Sequence, residues 1–89
     1  MNGAATQVAS GQFDDDFFRL PRQFQEHVQR KIDAMGWRLA TFPHFPMTGS
    51  DKYRLRIGDY RVIYRFDLVR GEIYLVAIGH RREIYRDKA

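Results

Sequence analysis

A two-residue turn inside a strand-forming segment constrains this chain more than any other feature. Residues 53–66 read YRLRIGDYRVIYRF, in which apolar and basic side chains largely alternate on either side of Gly58 and Asp59. Glycine adopts the positive-φ backbone that tight hairpins need, so this pair predicts a β-hairpin with a two-residue loop. In that register Arg56 lies directly opposite Arg61.

The hairpin divides its side chains between two faces, because successive strand residues point to opposite sides of a sheet. One face is apolar and collects Tyr53, Leu55, Ile57, Tyr60, Val62, Tyr64 and Phe66. The other collects Arg54, Arg56, Arg61, Ile63 and Arg65. Directly opposed like charges cost about 0.2–1 kcal/mol per pair. The second face is either a solvated polar surface or an anion-binding site. Its charges all have the same sign, which favours the anion-binding site, because guanidinium forks pair with phosphate oxygens.

Length and charge narrow the class of protein. The 89 residues predict a single domain over residues 1–89, with residues 1–4 frayed. Residues 1–51 contain five Lys or Arg and six Asp or Glu, a net charge of −1, whereas residues 52–89 contain ten and five, a net charge of +5. This asymmetry predicts a basic working surface in the second half and an acidic or phosphate-bearing partner.

Several kinds of site are absent from the sequence. There is no cysteine, so disulfides and thiolate metal sites are excluded. No apolar run approaches the roughly 18 residues of a membrane span and no signal peptide is recognisable, so we expect a cytoplasmic location and no membrane contact. His27 and His44 lack metal-ligand spacing and the acidic run 14–16 has no matching carboxylates, so we expect no metal and no other cofactor.

Helical periodicity fills the first half of the chain. A first helix, capped by Ser10, has apolar residues at i, i+4 and i+7, which are Phe13, Phe17 and Leu20. A second helix begins at Pro21, ends at a left-handed Gly36 cap, and has apolar residues at Phe24, Val28, Ile32 and Met35. Together they predict a helical hairpin with one apolar stripe.

The remaining segments complete an α+β fold. Residues 5–10 predict a short strand, and residues 37–51 predict a loop whose apolar side chains fold back onto the core: Trp37, Leu39 and Phe42. Residues 73–78 are apolar on both faces and predict a central strand, with a polar tail from Gly79. The order is β-α-α-β-β-β, with the helical hairpin on one face of a small, mostly antiparallel sheet and a basic opposite face.

Two runs carry a resemblance to a known family. Residues 53–64, YRLRIGDYRVIY, followed by residues 79–85, GHRREIY, resemble the RelE/ParE superfamily of bacterial toxin–antitoxin toxins, and most closely its RelE branch. The similarity extends over roughly residues 13–86. It implies a ribosome-dependent endoribonuclease that cuts mRNA in the ribosomal A site. It also implies a cognate antitoxin that inhibits the toxin, and contact with operator DNA only through the antitoxin complex.

The resemblance assigns the basic face to RNA. Arg54 and Arg56 match the basic residues that grip the RNA backbone, and Arg65 lies on the same predicted face as a further phosphate-binding candidate. Arg61 matches the arginine that stabilises the scissile phosphate. In such enzymes the RNA 2′-hydroxyl attacks the adjacent phosphorus, which leaves a 2′,3′-cyclic phosphate and a 5′-hydroxyl without a metal ion.

The resemblance also points to the end of the chain. Arg81 matches an arginine implicated in phosphate stabilisation and leaving-group protonation, and Tyr85 matches a tyrosine implicated as general base. His80 lies where several relatives carry a basic residue beside that arginine. The residues themselves allow a structural interpretation as well, with His80 bonded to backbone at a strand end and Tyr85 as an amphipathic anchor.

Two other functions remain open at this point. A non-enzymatic inhibitor of DNA gyrase, as in the ParE branch, would need no catalytic set. A catalytically degenerate toxin would act only as a partner of antitoxin and operator DNA. The combination of Arg61, Arg81 and Tyr85 favours the ribonuclease, because a gyrase binder has no chemical reason to assemble it.

Overall fold

Residues 4–84, which this computed structural model describes, form seven elements in the predicted order with one short strand added. They are β1 (Thr6–Ala9), α1 (Gly11–Phe18), α2 (Arg22–Trp37), β2 (Phe45–Pro46), β3 (Tyr53–Ile57), β4 (Tyr60–Asp67) and β5 (Glu72–His80). Strand β2 lies inside the segment expected to be a loop. The predicted fraying of residues 1–4 falls, except for Ala4, outside the described residues.

One mixed sheet contains all five strands, in the order β1-β5-β4-β3-β2. β1 runs parallel to β5, and the other neighbours are antiparallel, as predicted for a mostly antiparallel sheet. The hairpin between β3 and β4 has the predicted register, with Arg56 opposite Arg61 and Ile57 opposite Tyr60. Gly58 begins its loop at φ 58°, the positive value that the turn required.

The helices form where the apolar spacing predicts them. The Ser10 hydroxyl caps α1 by accepting a hydrogen bond from the Phe13 backbone N–H at 3.0 Å, as predicted. Pro21 lies one residue before α2 rather than inside it. The predicted cap at Gly36 is wrong, because α2 continues to Trp37 and the buried Gly36 carbonyl accepts a hydrogen bond from the Ala5 N–H at 3.1 Å.

Both helices bury their stripes against the apolar face of the sheet. The core they form contains Phe13, Phe17, Val28, Ile32 and Met35 from the helices and Leu55, Ile57, Val62, Tyr64, Ile73, Leu75 and Ile78 from the strands. Leu39 joins this core and Phe42 packs against it, as expected. Trp37 does not, since it is 66% exposed. At 100° per residue it lies about 200° around α2 from Met35, on the side away from the stripe.

The opposite face is basic, but its centre is a second small apolar cluster. Ile63 and Ala77 are buried there beneath Ile84, with Met47 and Val76 packed around them. β5 also extends further than predicted, because Gly79 pairs with Arg61 and the strand ends only at His80. Ile84 then folds back over Gly79, where an added Cβ would lie 3.1 Å from the Ile84 Cδ1. The segment after β5 is therefore fixed against the basic face.

Candidate nucleic-acid interface

The guanidinium of Arg61 turns back onto the hairpin loop. Its Nη1 donates hydrogen bonds to the Gly58 carbonyl oxygen at 2.9 Å and to the Tyr60 carbonyl oxygen at 3.0 Å. Carbonyl dipoles stabilise the positive charge that Arg56, directly across the hairpin, would otherwise repel. The rest of the Arg61 fork stays available to a ligand.

Arg81 is attached to the same loop. Its backbone N–H donates to the Asp59 carbonyl oxygen at 2.7 Å, which adds one more rung beyond the paired residues Tyr60 and His80. Its Nε lies 3.8 Å from the Asp59 carboxylate, with both side chains well exposed. Residues 58–60, called the turn below, therefore hold Arg61 and Arg81 together, two residues that are 20 positions apart in sequence.

A groove of about 740 Å³ runs between α2 and the outer edge of β3. We call it the basic groove; its lining residues are Lys31, Ala34, Arg38, Phe42, Phe45, Arg54, Leu55, Arg56 and Arg61. Five of these side chains are cationic and none is acidic, so the groove is a concentrated positive field. Phe45, at 58% exposure, adds an aromatic surface at its side.

Sequence reasoning placed three of the groove's arginines and missed the rest of its wall. Lys31 lies on α2, and Arg38, seven residues later, directly follows the end of the helix at Trp37, a spacing of about two turns that puts both on one side of α2. That spacing was visible in the sequence, but only the packing of α2 against the sheet turns this face toward β3. Arg38 also lies over the Phe42 ring, 5.3 Å from its centroid.

A half-buried pair of hydrogen bonds at His44 anchors the loop that carries Phe42 and Phe45. His44 lies between the Tyr64 hydroxyl, 2.5 Å from its Nδ1, and the Leu39 carbonyl oxygen, 2.8 Å from its Nε2. A carbonyl only accepts, so Nε2–H donates to Leu39 and Nδ1 accepts from Tyr64. The ring also stacks on Phe66 at 4.0 Å. Burial, and to a smaller degree Tyr53, raise the pKa of the Tyr64 phenol, so it remains a hydrogen-bond donor.

Arg65 lies on the basic face but outside the groove. It is four residues beyond Arg61 along β4, roughly 13 Å at strand spacing, and its guanidinium lies 3.4 Å from the Asp51 carboxylate and over the Tyr74 ring. Desolvation alone would raise the pKa of Asp51, but the hydrogen bond from Arg65 and the charges of Lys52 and Arg65 outweigh it and lower that pKa. The Arg65 guanidinium is therefore already paired with the Asp51 carboxylate.

His80 points to the helix side of the sheet. Its ring meets Tyr60 edge-on, with centroids 5.7 Å apart, and its Nδ1 accepts from the Arg82 N–H at 3.2 Å. It lines a small cavity of about 220 Å³ with Asp16 and Glu83, across the sheet from Arg61. Tyr85 lies outside the described residues. The structure thus unites Arg54, Arg56, Arg61 and Arg81 at one end of the face and leaves His80 apart from them.

Between residues 4 and 84, no three His, Asp or Glu side chains cluster in a way that could hold a metal ion. Among these same residues, no helix combines the length and apolar character needed to cross a membrane.

The sequence matches one family model over almost its full length. The model for the ParE toxin of the type II toxin–antitoxin system parDE matches residues 8–85. No curated protein sequence matches the chain.

Solved structures resemble this fold at low sequence identity. The RelBE2 toxin–antitoxin complex of Mycobacterium tuberculosis aligns with a TM-score of 0.77 at 17% identity, over 93% of this chain and 98% of the matched chain. The isolated E. coli RelE toxin aligns with a TM-score of 0.74 at 15% identity, over 96% and 95%. The archaeal RelE–RelB complex of Pyrococcus horikoshii OT3 gives 0.71 at 22% identity, over 93% and 99%. At such identities the likeness shows the fold.

Proposed function

We propose that this chain, which belongs to the ParE toxin family of type II toxin–antitoxin systems and is the toxin of such a system, acts by cleaving mRNA in the ribosomal A site. The observation that supports this activity is the basic groove, in which Arg54, Arg56 and Arg61 line one wall. Arg81 is tied to the turn that also holds Arg61. Arginines from β3, β4 and the segment after β5 therefore lie around the same hairpin, which supports a phosphate-binding role.

The groove suits a single RNA strand better than a duplex. Its cations form a track for the phosphate backbone, and exposed Phe45 together with half-buried Phe42 offers faces on which bases can stack. Such stacking contributes about 1–3 kcal/mol per base without sequence preference. An mRNA strand held in a ribosomal site presents phosphates and unpaired bases in this way.

The proposed reaction is an internal phosphoryl transfer. The 2′-hydroxyl oxygen loses its proton and attacks the adjacent phosphorus, and the bond from phosphorus to the 5′-oxygen breaks. That oxygen takes up a proton, the role that the family resemblance gives to Arg81. The products are a 2′,3′-cyclic phosphate and a free 5′-hydroxyl. Arg61 and Arg81 stabilise negative charge on the phosphate oxygens in the transition state, which is often the largest catalytic contribution. DNA lacks the 2′-hydroxyl and is not a substrate.

Tyr85 and His80 are the candidates for taking the proton of the 2′-hydroxyl. The proposed base is Tyr85, by its position in the family pattern. His80 faces the helix side of the sheet in this structure, so a direct role would require its ring to leave the contact with Tyr60. We therefore assign proton abstraction to Tyr85 and keep His80 as the secondary candidate.

The proposed protein partner is a cognate antitoxin that covers the basic groove. Several of the similar structures are complexes of RelE toxins with RelB antitoxins. In this chain β2 pairs with only Tyr53 and Arg54, so within residues 4–84 no strand covers the outer edge of β3 beyond Arg54. An extended acidic segment could pair with that edge and neutralise Arg56 and Arg61. Antitoxin and RNA would then compete for the same cations.

The cellular setting follows from this activity. The target is the ribosome with mRNA in its A site, which requires a cytoplasmic protein. Operator DNA is expected to be contacted only through the antitoxin complex.

Induced expression of the wild-type chain and of Arg61→Ala tests the activity directly. Wild type should halt translation and leave mRNA fragments with 2′,3′-cyclic phosphate ends, and Arg61→Ala should do neither. Arg70→Ala is the matched control, since Arg70 is an exposed arginine in the β4–β5 turn outside the groove.

A parallel assay of gyrase supercoiling separates the alternatives. If growth still stops in Arg61→Ala cells while supercoiling fails, the ribonuclease assignment is wrong and the chain acts on gyrase. If the wild-type chain affects neither process but binds its antitoxin, the chain is a degenerate toxin.

A further inference from the structure

The turn at residues 58–60 contacts both phosphate-binding arginines through different groups. The carbonyls of Gly58 and Tyr60 accept from the Arg61 guanidinium, whereas Asp59 contacts Arg81 twice, through its carbonyl and its carboxylate. Asp59 is therefore the one residue of the turn whose side chain reaches the segment after β5.

The two contacts of Asp59 have different consequences for Arg81. The 2.7 Å backbone hydrogen bond fixes where the chain leaves β5 and does not depend on the Asp59 side chain. The carboxylate, 3.8 Å from Nε, selects among the directions that the Arg81 side chain can take. The side chains are 48% and 69% exposed, so the pair contributes little to folding stability. The effect of the pair is on the direction of the Arg81 side chain.

We propose that Asp59 is a positioning residue that holds the Arg81 guanidinium at the turn beside Arg61, so that the two arginines can grip one phosphate. The proposal rests on the proposed ribonuclease function. Arg81 has a long, flexible side chain at the chain's exit from the sheet, and its fork has five donors. One contact to the carboxylate at Nε leaves the terminal nitrogens free to bind phosphate oxygens.

The same carboxylate also opposes phosphate binding by its charge, so the two effects predict opposite results. At exposed positions this repulsion is screened by solvent and salt. Misplacing a catalytic group by about 1 Å can cost up to about 100-fold in rate. Positioning therefore outweighs repulsion, and removal of the charge slows cleavage.

Single-turnover cleavage of ribosome-bound mRNA by the purified chain tests this role. Asp59→Asn should slow the rate at saturating ribosome concentration by about 2- to 5-fold, the bias that an exposed ion pair can give to side-chain populations. The half-saturating concentration should not change, because binding relies on the groove. Asp59→Glu restores the charge and should recover most of the rate. Asp67→Asn, at the end of β4 and away from Arg81, is the matched control. In an Arg81→Ala background Asp59→Asn should have no further effect.

A second measurement is independent of cleavage. In ¹⁵N NMR spectra the Nε–H of Arg81 should exchange with solvent several-fold faster in Asp59→Asn than in wild type, while the Arg81 backbone amide stays protected. Equal exchange rates, or a cleavage rate for Asp59→Asn at or above that of wild type, would overturn the positioning role. If wild type does not cleave RNA, the proposed function fails, whereas the exchange data still report on the pair.

Discussion

Arg56 lies directly opposite Arg61 across the β3–β4 hairpin, yet the Arg61 guanidinium bonds to the carbonyls of Gly58 and Tyr60. The turn thereby satisfies one of the two opposed charges with backbone dipoles. Both arginines line the basic groove. The two arginines are equivalent in the hairpin pattern and different in their surroundings, which supports different roles on RNA.

Arg61→Ala should separate activity from stability. Loss of a donor to the transition-state phosphate is expected to lower the cleavage rate by about 100- to 1,000-fold. The free energy of unfolding should change by less than about 1 kcal/mol, because the side chain is partly exposed and its removal also relieves repulsion with Arg56. Single-turnover kinetics and urea denaturation measure the two effects. A comparable loss of both would indicate a structural role for Arg61.

Arg54→Ala should weaken RNA binding in a salt-dependent manner. Each lost phosphate contact reduces the slope of log K against log salt by about 0.7 for a single strand. Fluorescence titration of a 2′-O-methyl RNA, which cannot be cleaved, at several salt concentrations gives this slope. Arg65→Ala should change it less, since Arg65 lies outside the groove and pairs with Asp51. An unchanged slope for Arg54→Ala would exclude a phosphate contact there.

Tyr64→Phe should destabilise the chain at neutral pH by about 1–3 kcal/mol, because the Nδ1 of the half-buried His44 loses its donor. Tyr53→Phe is the matched control at a half-buried, neighbouring ring. Urea denaturation at pH 7 gives both values. Equal stabilities of wild type and Tyr64→Phe would show that the hydrogen bond between Tyr64 and His44 contributes nothing.

The same variant should also change the alkaline pH dependence of stability. The folded-state pKa of Tyr64 is raised, so its stabilising contribution is complete below the unfolded pKa of about 10 and is lost as pH rises above that value. Tyr64→Phe cannot ionise and should lose less stability than wild type between pH 9 and 11.5. Parallel slopes for the two proteins in this range would contradict the assignment.

Gly58→Ala should destabilise the hairpin by about 1–2 kcal/mol, since Gly58 has a φ of 58°. Open space surrounds its Cα, so the cost is conformational and not steric. Gly11→Ala is the control, because Gly11 lies in α1 and also has open space around it, and there alanine should be neutral or stabilising. Thermal denaturation gives the change in melting temperature for each of the two variants. Equal changes would argue against a strained turn.

Ile84→Ala should cost about 2 kcal/mol or more, as expected for a buried isoleucine, because Ile84 is 3% exposed over Ile63 and Ala77. It should also loosen the segment that carries Arg81, detectable as faster hydrogen exchange of the Arg81 amide. Val69→Ala, at a 97% exposed position, is the control and should leave both unchanged. If the Arg81 amide exchanges as slowly in Ile84→Ala as in wild type, the pairing of β5 is enough to hold the Arg81 backbone in place.

The parts of this fold that depend on local pattern can be predicted from the order of the residues. The Gly58–Asp59 pair set the hairpin register, period-2 alternation put Arg54, Arg56 and Arg61 on one face, and helical spacing identified the buried stripe of α2. Each of these features depends on residues that are close together in the chain. The backbone angles φ and ψ and the side-chain period already fix the geometry of such neighbours.

The way in which separate segments meet depends on long-range packing. Lys31 and Arg38 join the groove because α2 packs beside β3, and Arg81 reaches Asp59 because β5 pairs with β4. The predicted cap at Gly36 and the predicted core position of Trp37 are wrong for the same reason. Local spacing does not encode the contact of Gly36 with Ala5 or the orientation of α2. Long-range packing chooses among conformations that local propensity leaves nearly equal in energy. The turn is a local feature, but its role in joining Arg61 to Arg81 exists only in the folded chain.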